Sequence, residues 1–65
     1  MKFELFMEFI DGTTYRSDDL YTSEERAILA AKNNLERSAV YAEVIRTDED
    51  GDEERVFGQW SRHLD

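Results

Sequence analysis

Six of the seven residues in the segment 48–54 are carboxylic acids, and such a run can do three kinds of chemistry. It can ligate a divalent cation, pair carboxylates as acid and base, or hold a fixed anionic surface toward a partner. An EF-hand loop needs an acidic or amide ligand first, glycine sixth and glutamate twelfth. With Gly51 as the sixth residue, Arg46 falls first and Phe57 twelfth, so no specific calcium loop is expected and weak divalent binding is the most the run offers. Acid–base work requires burial that splits two carboxyl pKa values, and these residues read as exposed. The plain reading is a solvated hairpin tip that keeps an edge strand soluble. The sharper one is an anionic wall of Asp48, Glu49, Asp50, Asp52, Glu53 and Glu54. Together with Asp11, Asp18 and Asp19 it would imitate the spacing of phosphates and occupy a nucleic-acid channel.

The rest of the chain supports the surface reading over the catalytic one. Sixteen acids against eight basic residues leave a formal charge of −8, which repels nucleic acid and anionic lipid and attracts basic protein surfaces. The one histidine, His63, stands in an expected frayed tail at residues 62–65, far from any base-and-nucleophile arrangement. No glycine-rich phosphate loop is present, and no enzyme activity or cofactor is expected. With no cysteine and no Cys/His cluster, neither a disulfide nor a structural metal holds the fold. A chain of 65 residues must then rely on its apolar core, or on a partner that adds to it. No signal peptide and no apolar run of roughly 20 residues is evident, so a soluble cytoplasmic protein of a bacterial cell is expected, with no membrane contact.

Apolar periodicity sets the elements. Phe3, Leu5, Met7 and Phe9 alternate with Lys2, Glu4, Phe6 and Glu8, which predicts a half-buried strand over residues 2–10. Asp11-Gly12 predicts a type I′ hairpin turn into a short return strand at residues 13–16. A helix is expected from Thr22, with Thr22 as N-cap and Glu25 completing a capping box. Ala27, Ile28, Ala31 and Leu35 form its apolar stripe. Residues 39–47 are rich in β-branched residues and read as a strand. The acidic run makes a hairpin loop, and residues 54–61 return as the last strand. The expected fold is α+β: a single small domain over residues 1–65, ordered β-β-α-β-β, with one helix packed on an antiparallel sheet.

One helix leaves one sheet face without a cover. Phe3, Leu5, Met7 and Phe9 make the better core face, completed by Ile28, Ala31, Leu35, Val40, Val44, Val56 and Trp60. The opposite face then carries Phe6, Ile10, Tyr41, Ile45 and Phe57 among Glu4, Glu8 and Glu43. An apolar patch of that size marks an interface, unless strand curvature and long neighbouring side chains cover it. A homodimer satisfies the patch as well as a foreign partner does. Phe6, Tyr41 and Phe57, with the six acids of the loop, are the expected partner-binding residues.

A strand, a tight turn, a capped helix carrying Ser-Glu-Glu-Arg-Ala-Ile-Leu-Ala-Ala-Lys (residues 23–32), a valine-rich strand and an acidic hairpin together resemble small phage-encoded inhibitors. These include type I anti-CRISPR proteins and the short phage inhibitor of bacterial RNA polymerase. The resemblance lies in size and topology, and no functional residue transfers with it. It implies a non-enzymatic inhibitor that covers a basic surface of a nucleic-acid-binding complex. The competing expectation is a small structural or self-associating domain whose acidity serves solubility only.

Overall fold

A computed structural model describes residues 1–17 and 21–61. Asp18 and Asp19, and residues 62–65 with His63, lie outside that description. The elements are β1 (Lys2–Phe9), β2 (Thr14–Arg16), α1 (Glu24–Arg37), β3 (Ala39–Thr47) and β4 (Glu53–Trp60). The four strands form one antiparallel sheet in the order β2-β1-β3-β4, with α1 on one face. The β-β-α-β-β expectation holds.

The helix starts one residue later than expected. Ser23, not Thr22, is the N-cap: its backbone is extended (φ −125°, ψ 128°) and its hydroxyl accepts from the Arg26 amide at 3.4 Å. Both residues carry the required hydroxyl, so the choice belongs to the preceding chain. Tyr21 pairs with Phe3 through two backbone hydrogen bonds, which fixes where the chain leaves the sheet. Arg26 now stands third in the helix, so no carboxylate reaches back to complete the box. Glu24 and Glu25 still face the positive helix end.

Burial follows the helical spacing. Ala27, Ala31 and Leu35 are buried against Phe3, Leu5 and Met7 of β1 and Ala39, Ala42 and Val44 of β3. Alanines occur on both sides of the seam, so the helix lies close over β3, while β1 supplies the bulky side chains. Ser61 closes the far end, its hydroxyl donating to the Leu35 carbonyl at 3.3 Å and its amide to the Val40 carbonyl at 2.8 Å.

Two β-bulges govern which side chains meet the helix. In β3 the register slips between the Glu8↔Tyr41 and Phe9↔Ala39 pairs, and both Ala39 and Val40 are buried. In β4 it slips between Val44↔Phe57 and Ile45↔Arg55, leaving Val56 as the extra residue. Val56 and Phe57 then both pack against the core, and Lys32 of α1 stands over the Phe57 ring at 6.0 Å. Trp60, expected in the core, is instead paired with Tyr41 on the opposite face and is 59% exposed. Phe57, expected on that open face, lies on the helix side. An inserted residue reverses the facing of everything beyond it.

These assignments separate in unfolding experiments. Leu5→Ala, which empties a fully packed site, should lower urea-unfolding stability by about 2–4 kcal/mol. Trp60→Ala should cost no more than about 1 kcal/mol, as expected for a side chain outside the core. Equal losses would return Trp60 to the core.

Candidate protein-docking surface

The acidic segment 48–54 is a built turn with a strand attached. Gly51 N–H donates to the Asp48 carbonyl (3.1 Å) and Asp48 N–H to the Asp52 carbonyl (3.0 Å), with Gly51 at φ +88°. The β1–β2 connection repeats the pattern: Gly12 N–H donates to the Phe9 carbonyl, Phe9 N–H to the Thr13 carbonyl, and Gly12 has φ +89°. Both are three-residue hairpin loops in which only the glycine is left-handed. The type I′ expectation for Asp11-Gly12 is therefore corrected, since among the described residues no non-glycine φ is positive. An L-residue avoids that region for steric reasons, and a single glycine is enough when the loop is one residue longer.

An aspartate ties each turn together, Asp48 from just before its loop and Asp11 from within its own. Asp48 Oδ1 accepts from the amides of Asp50 (2.9 Å) and Asp52 (3.0 Å). Asp11 Oδ1 accepts from the Thr13 hydroxyl (2.6 Å) and amide (3.0 Å), and these bonds, the hydroxyl first, hold its carboxyl below the usual range. Asp48 is thus half-buried and committed to the turn, while Glu49, Asp50 and Asp52 face solvent. Carboxylate oxygens of Asp48, Asp50 and Asp52 lie within 4.8 Å of one another, as the turn requires. Glu53 and Glu54 are not loop residues: they begin β4 and point to opposite faces. Glu53 meets Arg16 at 3.3 Å on the open face, and Glu54 meets Arg46 at 2.9 Å on the helix face.

The open sheet face is less apolar than its sequence suggested. Phe6, Tyr41 and Ile45 do lie there and are half-buried, while Ile10 is in the turn and exposed. Arg16 crosses the face from β2, its Nε donating to Glu4 and its Nη2 to Glu53. Those carboxylates, Glu4 foremost, raise the guanidinium pKa. At the other side Tyr41 Oη donates to Glu43 Oε1 (2.9 Å) and accepts from Arg55 Nη1 (3.4 Å). Trp60 lies against the Tyr41 ring, centroids 4.7 Å apart and tilted 48°. Glycine at position 58 makes room for this cluster, since a Cβ there would come within 3.1 Å of Tyr41 Oη.

Of the expected partner-binding residues, the structure brings the six acids together at one end of the β3–β4 hairpin and places Phe6 and Tyr41 on the open face. Phe57 is separated from them by the sheet. The residue that sequence reasoning missed is Trp60, the exposed aromatic beside Tyr41. Its signal was the adjacent apolar pair Val56-Phe57, which breaks strict alternation. Comparison with protein-family models, curated proteins and solved structures finds no match.

Burial, then the Glu43 hydrogen bond, pushes the Tyr41 phenol up, and Arg55 partly offsets them. Glu43→Gln should lower that pKa while leaving it above an unburied tyrosine, read by NMR titration of the ring carbons. Because the folded value is raised, stability tied to neutral Tyr41 is complete below the unfolded tyrosine value of about 10 and is lost as pH rises through the folded one. An unchanged titration in the variant would remove Glu43 from the cluster.

Proposed function

We propose that this chain is a non-enzymatic, acidic protein-binding domain that docks on a basic surface of another protein. The observation that carries this reading is the placement of charge. Residues 46–55 hold six acids against two arginines, a local balance of −4 and half of the whole chain's −8. The glycine-turned loop and the Asp48 side chain hold the backbone that carries these carboxylates. An anionic tip steers association with a cationic surface, and such rim charges govern the rate of encounter more than final affinity. Affinity needs an anchor that loses its water, and Trp60 on Tyr41 has the residue types most enriched among such anchors.

A surface that binds lysines and arginines competes with phosphates for the same groups. The function this suits best is inhibition of a nucleic-acid-binding complex in a bacterial cytosol, in the manner of the phage-encoded inhibitors the topology resembles. Carboxylates of the tip then occupy positions otherwise taken by phosphates. Among the described residues no helix is long and apolar enough to cross a membrane. Self-association through the open face is the weaker reading, because Arg16 and its two carboxylates lie across Phe6 and Ile45.

Capture from a bacterial lysate tests the reading when wild type is compared with the combined variant Glu49→Gln, Asp50→Asn, Asp52→Asn. Asp48 is retained because it folds the turn. Wild type should hold nucleic-acid-binding proteins that elute at about 0.5 M salt, where charges are screened beyond a few ångströms. The variant should lose them. Identical retention by both forms, or retention indifferent to salt, would defeat the proposal.

A further inference from the structure

β4 ends the sheet, so among the described residues nothing pairs with its outer side. The hydrogen-bond alternation shows which groups that side presents. Ser61 N–H donates to the Val40 carbonyl, which makes Ser61/Val40 a hydrogen-bonded pair and Trp60/Tyr41 and Gly58/Glu43 non-bonded ones. The amides and carbonyls of Gly58 and Trp60 therefore point away from the sheet. Val56 is the bulged residue, so the stretch from Phe57 to Trp60 beyond it is a regular edge. Exposed edges of this kind are templates for another strand.

We propose that this edge takes up an extended segment of a partner protein as a fifth strand, its lysines or arginines against the 48–54 tip and its apolar residues at Trp60. This rests on the protein-binding reading above and specifies the form of the partner. Charge decides between occupants. The end of β4 at the tip is anionic, with Asp50, Asp52, Glu53 and Glu54. The Tyr41–Trp60 pair marks the other end, and the Arg55 guanidinium reaches toward it, 3.4 Å from Tyr41 Oη. A segment that is cationic at one end and apolar at the other matches this gradient. A second copy of the chain brings a further charge of −8 to the same edge and is disfavoured. From Glu53 to Trp60 β4 lies opposite the seven β3 residues 41–47 and spans about 20 Å, the reach of a segment of about seven residues. Main-chain bonds at Gly58 and Trp60 give such a strand its affinity, and the charges give it direction.

Amide hydrogen exchange followed by NMR provides the test. The probe is an acetylated, amidated peptide with a lysine-rich half and a valine-rich half, about seven residues long to match β4. Gly58 and Trp60 amides should exchange freely in the protein alone and slow by at least about tenfold with saturating peptide. The inward-bonded amide of Ser61 should not change in the same proportion. Binding that shifts only tip resonances, without protecting Gly58 and Trp60, overturns the edge and leaves the acidic-surface reading standing. No binding even at low salt counts against both. Protection that grows with protein concentration in the absence of peptide assigns the edge to a second copy and overturns the proposal.

Discussion

One helix can cover only part of one sheet, and the rest of this structure answers to that limit. α1 has fourteen residues and is about 21 Å long and roughly 10 Å across with its side chains. Strands sit about 4.8 Å apart, so a helix of that width shields two of the four. It lies over β3 and β1, the two central strands, and packs hardest against β3. Alanines at 27, 31, 39 and 42 bring the layers close, and Val44, Leu5, Met7, Phe3 and Leu35 fill what remains. The outer strands are left to themselves: β2 is exposed along its whole length, and β4 reaches the core only through its bulge.

The second face is closed by polar side chains instead of a second layer. Arg16 lies across it between Glu4 and Glu53, and Tyr41 joins Glu43 to Arg55. Exposed ion pairs of this kind contribute roughly 0.2–1 kcal/mol each, so their effect is to cover Phe6 and Ile45 more than to stabilise the fold. Drawing Glu4, Glu43, Glu53 and Glu54 into local pairs also sorts the charge. Glu49, Asp50 and Asp52 remain solvent-facing at the hairpin tip. Small core, polar lid and anionic tip are thus consequences of one shortage of apolar mass.

Much of this was legible in the residues. Phe3, Leu5 and Met7 alternate without interruption and are buried as their period requires. β3 runs over residues 39–47 as its β-branched composition implies. The alanine-rich stripe faces the sheet. The cap was legible in kind but not in position, because Thr22 and Ser23 offer the same hydroxyl and only the Tyr21–Phe3 pairing separates them. Asp-Gly announced both turns, yet the type depended on loop length, which the hydrogen bonds of Phe9 and Asp48 fix. The last strand was expected from residue 54, and the pairing of Glu53 with Thr47 starts it one residue earlier.

From its residues alone this protein is an acidic α+β domain with one amphipathic helix, two Asp-Gly turns and a charge concentrated at one hairpin, because composition and local periodicity act over a few neighbouring residues. Which aromatic ring is buried and which is offered to solvent was decided by the assembled sheet. Phe57 and Trp60 are three residues apart, and strict alternation places them on opposite faces whichever face comes first. The extra residue at Val56 selects the face, and it exists only because β4 must stay in register with Val44 at one end and with the hairpin turn at the other.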